Sequence, residues 1–343
     1  MGEVNNRLLE DATRQLRDRL PPGWSASAQN GGGGKASVTF TGPDRRKGVL
    51  TLAVRASVEP REVAVLVEAA RAEPTPTAVL CRYLSVSTRE RLREHNMGYL
   101  DLTGNVRVAL VRPGLFLETH GASQDPNRSE RPARSLRGAK AGRLVRELVD
   151  NARPVGVRDL AANVNIDAGY VSRVLAFLDA EALVRRVGRG RLEHVDWPAL
   201  LRRWAADAPL EARGRVTTWL DPRGAGAFVT RLAGSKEQYA ITGSFAAARV
   251  APIAPSRLAT VWVSDADGAA DRLDLRAADT GANVMLIELH DDYALVGSST
   301  TDGIWYAAPS QVVADLLTSP GRGPAEAEAL ITWMLAHQDE WRT

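Results

Sequence analysis

Residues 157–195, near the middle of the chain, carry the pattern of two short helices followed by a basic hairpin. Apolar residues recur at positions i, i+3 and i+4 in two segments, which is the spacing of one buried helix face. They are Leu160, Ala161 and Val164 in the first segment and Val171, Val174, Leu175 and Leu178 in the second. Between the segments, Asn165, Ile166 and Asp167 predict a tight turn, in which Ile166 is buried and Asp167 caps the second helix. This arrangement is a helix-turn-helix, so we expect the chain to bind DNA.

The second helix would present six small or polar residues on its outer face, near its N-terminus: Ala168, Gly169, Tyr170, Ser172, Arg173 and Ala176. In helix-turn-helix proteins this face enters the major groove. Alanine and glycine allow a close approach to DNA, and a serine hydroxyl donates to phosphate. An arginine reaches a phosphate or a guanine edge, and a tyrosine reaches sugar, phosphate or a thymine methyl group. We therefore expect Tyr170, Ser172 and Arg173 to contact DNA.

The residues after the second helix, from Leu183 to Val195, predict a two-stranded hairpin that turns at Gly188-Arg189-Gly190. Four arginines lie on it, and no acidic residue separates the first from the last: Arg185, Arg186, Arg189 and Arg191. Such a hairpin is the wing of a winged helix, and its arginines would contact backbone phosphates or enter the minor groove. The alternative is a small winged-helix domain that serves only dimer contacts and leaves its arginines solvated.

The segment before the motif, residues 121–138, is rich in serine, proline, glycine and arginine and predicts a linker. Basic residues recur at every third position there and in the next helix: Arg128, Arg131, Arg134, Arg137, Lys140 and Arg143. This array either follows a phosphate backbone beside the winged helix or forms a solubilising hinge, and the sequence leaves both open. Of its members, Arg137 and Lys140 are the candidate DNA contacts.

The distribution of charge supports a DNA-binding surface in the middle of the chain. Residues 125–213 hold 17 basic and 12 acidic residues, whereas residues 214–343 hold 10 basic and 16 acidic ones. An acidic region is unsuited to lying on DNA. With 343 residues, the chain is long enough for several domains. We expect an α+β multidomain protein, with an α/β domain at 1–122, a basic linker at 123–138, a winged helix-turn-helix at 139–212 and an α/β domain at 213–343.

Several protein classes are disfavoured by composition. The chain has no run of about 18 apolar residues, and its first 20 residues form a charged amphipathic pattern without an apolar core. Its one cysteine, Cys81, cannot form an internal disulfide, and the five histidines show neither zinc spacing nor a triad motif. We expect a bacterial protein of the cytoplasm that associates with the nucleoid and not with a membrane.

The N-terminal domain has the order of a restriction-endonuclease-like core. Strands are predicted at residues 36–40, 48–56, 78–81 and 106–111, and helices at 60–71 and 87–95. Nuclease chemistry needs an acidic residue and then a carboxylate and a lysine on the next strand, which together hold a divalent metal. Asp44 fits the first position, but Ala53 and Arg55 stand at the others. We therefore expect a degenerate nuclease fold, and a turn-capping role for Asp101 in the segment Asp101–Asn105.

The C-terminal domain contains a pattern that partly matches a nucleotidyltransferase. Gly243-Ser244 follows a predicted strand at 239–242, and Asp265 and Asp267 follow the next one at 258–263. A transferase uses a Gly-Ser turn to seat phosphate and an Asp-x-Asp pair to bind its metal. Here Asp265 lies 21 positions after Ser244, where about ten are usual in small transferases. We expect the pair to lie in a polar loop at 264–271, on a transferase-like scaffold or an unrelated α/β domain without chemistry.

Taken in order, several segments resemble the AbiEi-type antitoxin and transcriptional regulator family of type IV toxin-antitoxin systems. Residues 81–105 (CRYLSVSTRERLREHNMGYLDLTGN) are similar to its pattern of a short strand, a helix and a DxxGN turn. Further similar segments are Leu160-Ala161, Gly169–Leu175, Thr242–Ala248, Thr280–Val284 and Ala308–Leu317 with Gly321-Arg322. The resemblance covers roughly residues 78–340.

This resemblance implies a repressor whose winged helix binds inverted repeats in a promoter, with a C-terminal domain that carries an antitoxic effect or mediates assembly. It implies no cofactor, and as partners double-stranded DNA, a second copy of the chain and a toxin encoded nearby. The long N-terminal extension before residue 78 departs from the family, and a stand-alone regulator or nucleoid-associated protein would share these motifs. We do not expect an enzyme; the alternative is a nucleotidyltransferase-type or nuclease-type enzyme acting on nucleotides or nucleic acid.

Overall fold

The computed structural model describes residues 2–32, 35–123, 125–126, 135–152, 156–187, 191–235 and 237–342. These residues form a mixed α/β structure with two seven-stranded sheets and one two-stranded sheet. The chain divides into two compact units. The N-terminal unit comprises residues 1–132 with 179–182, and the C-terminal unit comprises residues 133–178 with 183–343. The domain boundaries expected from the sequence stay predictions.

The N-terminal unit is built on a sheet whose strands neighbour one another in chain order. The strands are β1 (Ser25–Gly32), β2 (Lys35–Thr41), β3 (Lys47–Val54), β4 (Thr77–Cys81), β5 (Gly98–Asp101), β6 (Val106–Leu110) and β7 (Leu115–Thr119). The helices are α1 (Gly2–Arg17), α2 (Val63–Arg71) and α3 (Val86–Glu94). Strands β3, β4 and β5 are parallel, and the other neighbours are antiparallel. The strands and helices predicted in this region are confirmed to within a few residues, whereas β1, β5 and β7 were not predicted.

Alternation of apolar and polar residues explains how this sheet is covered. In β2 and β3 every second residue is buried, including Val38, Phe40, Leu50 and Leu52. Helix α1 packs Leu8, Leu9, Ala12 and Leu16 against this face. Helices α2 and α3 contribute Val63, Leu66 and Leu92 to a separate cluster with Val79 and Tyr99 of β4 and β5. The parallel strands are therefore covered by a helix layer on each side.

Asp101, at the end of β5, holds together the segments at residues 81–89 and 101–105. Its carboxylate is 1% exposed and accepts hydrogen bonds from the backbone of Leu84 (3.0 Å), Thr103 (2.8 Å) and Asn105 (3.1 Å). Asn105 is also buried, and its Oδ1 accepts from Arg89 (2.5 Å) and from the backbone of Gly121 (2.8 Å). The turn-capping role predicted for Asp101 is confirmed, and both oxygens of its carboxylate accept hydrogen bonds that hold the turn.

The C-terminal unit begins with a set of short helices and a hairpin. These are α4 (Ala139–Asp150), α5 (Val157–Asn163), α6 (Ala168–Ala180), β8 (Val184–Val187), β9 (Arg191–Val195) and α7 (Trp197–Asp207). Strands β8 and β9 pair in antiparallel fashion. The predicted pair of helices and the hairpin that follows them are therefore present, although the predicted hairpin turn at 188–190 lies outside the described residues.

A second mixed sheet with its covering helices completes this unit. Its helices are α8 (Leu210–Arg213), α9 (Ala225–Leu232), α10 (Gly243–Ala247), α11 (Ala266–Arg272), α12 (Pro309–Leu317), α13 (Gly323–Ala336) and α14 (Gln338–Trp341). Its strands are β10 (Gly214–Leu220), β11 (Tyr239–Thr242), β12 (Ala259–Val263), β13 (Arg276–Ala277), β14 (Val284–Leu289), β15 (Ser299–Thr301) and β16 (Ile304–Tyr306). The strand order is β13-β10-β14-β12-β11-β16-β15. No helix of the described ranges in either unit is long and apolar enough to cross a membrane.

Two enclosed arginines connect helices α4 and α8 to helix α12. Arg146 of α4 is 2% exposed and donates to the backbone oxygens of Tyr293 (3.1 Å) and Val296 (2.6 Å) and to Gln311 of α12 (3.0 Å). Arg213 pairs at 2.6 Å with the buried carboxylate of Asp315, which is 0% exposed. Removing one partner of a buried ion pair is strongly destabilising, so these contacts hold α4 and α8 against α12.

Gly142 lets α4 approach the ring of Tyr293 closely. A Cβ atom added there would lie 2.7 Å from the Tyr293 ring. We expect Gly142→Ala to lower the free energy of unfolding by about 1 to 3 kcal/mol, because the enclosed ring cannot yield easily. The matched control is Gly226→Ala in α9, where an added Cβ meets nothing within 4 Å and alanine should be neutral or stabilising. Urea unfolding of both variants checks this, and equal midpoints would contradict it.

Candidate nucleic-acid interface

Helices α5 and α6 meet as the sequence predicts. Leu160, Val171 and Leu175 are at most 1% exposed and face one common core. The chain turns at Asn165, whose φ of 50° lies in the left-handed region that asparagine tolerates better than most residues. Asp167 Oδ1 then accepts a hydrogen bond from the backbone of Tyr170 at 2.9 Å. The predicted capping role of Asp167 is therefore confirmed, and the capped end of α6 is held against α5.

The outer face of α6 places two of its three predicted contact residues in solvent. Ser172 and Arg173 are exposed. Arg173 Nη1 would lie 3.5 Å from a Cβ added at Gly169, so its guanidinium lies close to the first turn of the helix, where glycine leaves room. Tyr170 is half-buried and packs against the core. Burial raises the pKa of its hydroxyl, and the nearby Arg173 opposes this shift.

The hairpin β8–β9 distributes its arginines unevenly. Arg185 and Arg191 are exposed, whereas Arg186 is half-buried. The strand register sets Arg185 opposite His194 and Val187 opposite Arg191. Arg185 forms an ion pair of 2.7 Å with Glu193 on the neighbouring strand. No acidic residue lies between positions 185 and 191 in the sequence. Arg185 is nevertheless paired, because the hairpin brings Glu193 beside it. Arg189 lies outside the described residues.

The basic array that precedes the motif is only partly a free surface. Arg128, Arg131 and Arg134 lie outside the described residues. Lys140 is exposed, and Arg137 is exposed while its Nε donates to the backbone oxygen of Asp207 at 2.7 Å. Arg143 donates from two nitrogens to Asp291, both at 2.9 Å, and from one to Asp292 at 3.2 Å. The suggestion that Arg143 belongs to a phosphate-tracking array is wrong for this structure, because two carboxylates occupy its guanidinium.

One basic residue was missed by the sequence analysis. Arg158 is exposed in the first turn of α5, and the preceding Gly156 pairs with Arg191 of β9 in an isolated bridge. The start of α5 and the hairpin are therefore neighbours, which brings a further arginine to the side of the hairpin. Its position at the start of the first helix of the motif was the available clue.

The residues that suggested nucleotidyl transfer do not come together. Strands β11 and β12 are antiparallel, with Tyr239 opposite Val263 and Thr242 opposite Thr260. Ser244 follows β11 and Asp265 follows β12. Because these strands run in opposite directions, the two residues lie at opposite ends of the strand pair. Their separation along the strand direction is about 13 Å, the length of four residues at about 3.3 Å each. Ser244 donates to the buried carboxylate of Glu326, not to an open phosphate site.

The two aspartates also have structural roles. The predicted polar loop at 264–271 is wrong, because residues 266–272 form helix α11. Asp265 Oδ1 caps this helix by accepting from the backbone of Gly268 at 3.0 Å. Asp267 pairs with Arg215 at 2.8 Å. The Asp-x-Asp pattern is therefore that of a capped, ion-paired helix start.

The residues that suggested a nuclease site also belong to ordinary local structure. Asp44 accepts from the backbone of Arg46 at 3.1 Å and pairs with its side chain at 3.4 Å in the turn between β2 and β3. Ala53 lies in β3, and Arg55 follows it. Within the part of the chain that the structure describes, no group of three or more histidine, cysteine, aspartate or glutamate side chains is arranged to hold a metal ion.

Comparisons with known proteins give little more. The sequence matches no protein-family model, and no curated protein is detectably similar to it. One solved structure, described as the structure of EndoMS in apo form, aligns with 15% identity and a TM-score of 0.19. The alignment covers 29% of this chain and 44% of the EndoMS chain, so less than half of that protein is matched. A TM-score this low does not show a shared fold.

The cap at Asp167 can be tested separately from DNA binding. We expect Asp167→Ala to lower the free energy of unfolding by about 1 kcal/mol, because the amide at the start of α6 loses its acceptor. Asp167→Asn should lose little, since an asparagine oxygen caps as well. Hydrogen exchange at Tyr170 and Val171, measured together with urea unfolding, checks the site. Unchanged exchange in Asp167→Ala would show that the carboxylate does not hold the helix start.

Proposed function

We propose that the chain is a sequence-specific DNA-binding transcriptional regulator that acts as a repressor. The observation that carries the proposal is the position of Ser172 and Arg173, exposed on a capped helix whose opposite face is buried against α5. A helix held in this way can enter a major groove without rearrangement, and a serine with an arginine supplies one phosphate donor and one base-reading group.

The surroundings of α6 support a phosphate-binding role for the flanking elements. Lys140, Arg158 and Arg191 are exposed in this part of the unit, and Arg185 is exposed but paired with Glu193. Exposed basic residues on either side of a recognition helix neutralise backbone phosphates and release counterions. Asp159 is an exposed acid of α5, Asp167 caps α6, and Glu193 is paired with Arg185. We assign the hairpin β8–β9 as the wing, with Arg186 and Arg189 as the remaining wing arginines of this proposal.

The other parts of the chain fit a regulator without chemistry. We propose that the N-terminal sheet is a degenerate restriction-endonuclease-like domain, because its β1–β2–β3 meander leads through α2 into the parallel strand β4. The C-terminal sheet is then a nucleotidyltransferase-like scaffold in which Ser244, Asp265 and Asp267 have become structural. No cofactor is required in this proposal.

The resemblance to AbiEi-type antitoxins extends the proposal to partners. A second copy of the chain would match the two halves of an inverted repeat, and a toxin encoded nearby would be the protein partner. Tight, sequence-specific binding by the purified chain is the primary test. Selection from a random duplex library should enrich one motif, which the chain binds about a thousandfold or more tightly than random duplex. Recovery of no motif would contradict the proposal.

Arg173 is the residue that we expect to read sequence. Arg173→Ala should weaken binding to the selected duplex by about 1 to 3 kcal/mol and relax the sequence preference at one position. Fluorescence anisotropy with the selected and a scrambled duplex measures both effects. An equal loss on the two duplexes would make Arg173 a phosphate contact instead.

Arg191 tests the wing. Arg191→Ala should weaken binding to selected and scrambled duplexes alike and reduce the slope of log K against log salt by about 0.9, the value for one lost phosphate contact. The matched control is Arg276→Ala on β13, an equally exposed arginine in the acidic part of the unit, which should leave the slope unchanged. A slope that is unaltered by Arg191→Ala would exclude the wing from the interface.

A further inference from the structure

A cavity of about 370 Å³ lies beside the hairpin, within the C-terminal unit. It is partly open to solvent and is bordered by the end of α4, by α5, by β9 and the start of α7, and by the C-terminal helices α13 and α14. Its volume falls in the range of small-ligand sites. The cavity touches β9 directly, so an occupant would contact one strand of the proposed wing.

The floor of the cavity is apolar and tightly packed. Leu148, Leu160, Leu192 and Trp197 line it, and each is at most 5% exposed in the structure. Leu335 stands at the rim with 50% of its surface exposed. The cavity therefore combines apolar surface with polar groups, and a small organic molecule with an apolar body and one charged group would match both.

The polar groups at the rim favour a positive charge. Three acidic residues line the cavity, Glu147, Glu193 and Asp196, together with His194; Asp196 Oδ1 also caps α7 by accepting from the backbone of Ala199 at 3.2 Å. The described lining contains one arginine, Arg342, whose guanidinium donates to the backbone oxygens of Val149 (2.9 Å) and Asn151 (3.1 Å). Burial lowers the pKa of Arg342. The last carbonyls of α4 also point to this end, where a helix favours cations.

We infer that this cavity binds a small organic cation, an amine with an aromatic or alkyl body. The body would lie on Leu148, Leu160 and Trp197, and the ammonium group would lie beside Glu193 and Glu147. Glu147 Oε1 accepts from Asn163 at 2.8 Å, and a carboxylate retains further acceptor positions for an ammonium group.

The position of Glu193 links the cavity to the hairpin. In the structure Glu193 pairs with the exposed Arg185 at 2.7 Å. An ammonium group beside Glu193 competes for this carboxylate and frees Arg185. On the proposed function, on which this step rests, a freed Arg185 adds a phosphate contact and strengthens DNA binding.

Phenethylamine tests the site, with 3-phenylpropionate as a probe of similar shape and opposite charge. Calorimetric titration of the full chain without DNA should detect the amine and not the carboxylate. Leu335→Lys should weaken amine binding about tenfold, because it adds a like charge at the rim. The matched control is Ile253→Lys, which adds the same charge at a position 49% exposed and away from the cavity. Equal binding of both probes, no binding of either, or no effect of Leu335→Lys overturns the site.

A second arm tests the link to DNA. Saturating phenethylamine should raise the affinity of the wild-type chain for its selected duplex by up to about fivefold, the upper value of one exposed ion pair. Glu193→Gln should abolish this response, and it also controls for effects of the amine on DNA itself. Amine binding with unchanged duplex affinity overturns the link to the wing. Failure to bind duplex even without amine contradicts the proposed function and leaves the cavity result standing.

Discussion

Arg146 is almost completely enclosed, and the arrangement of the C-terminal unit depends on its pairing. Its guanidinium joins α4, which packs against the helix-turn-helix, to the backbone at residues 293–296 and to Gln311 of α12. A guanidinium taken out of water is stable only when every donor finds an acceptor, so the partners must hold one geometry. The same core runs from Leu144 of α4 through Val171 of α6 to Val313 of α12. Helices α5 and α6 therefore share one packed core with helices that cover the second sheet.

This attachment changes how charge along the chain should be interpreted. Two arginines form bidentate ion pairs with acidic residues of the last third of the chain, Arg143 with Asp291 and Arg202 with Glu328. Part of the excess positive charge at residues 125–213 is therefore neutralised by ion pairs with acidic residues of the same unit. The arginines that stay exposed, such as Arg158, Arg173 and Arg191, belong to the helix-turn-helix and the hairpin. On the proposed function, the surface that would meet phosphates is smaller than the composition implies, and it is concentrated near α5, α6 and β9.

Local patterns predicted much of the fold. The i, i+3, i+4 spacing of Val171, Leu175 and Leu178 set the buried face of α6, and Asp167 supplied its cap. These features depend on residues a few positions apart. Strands β1 and β5 were missed because SASAQNGG and GYLD lack a clear alternation of apolar and polar residues. Their pairing partners, not their own residues, make them strands.

The candidate site was predicted less completely for the same reason. The pairing of Arg185 with Glu193 follows from the hairpin register, and the loss of Arg143 to Asp291 joins residues far apart in the chain. Asp265 looked like a metal ligand from its spacing, but the chain continues as a helix and turns that carboxylate into a cap. Spacing in the sequence identifies candidate residues. Tertiary contacts then determine which of them remain available to a ligand.

Hydrogen–deuterium exchange of the full chain with and without its selected duplex tests the central claim most directly. The account predicts slower exchange at residues 157–187 and 191–195, and unchanged exchange across α11 and β13 in the acidic part of the unit. Protection confined to the N-terminal sheet, with α5, α6 and the hairpin unaffected by bound DNA, would contradict it.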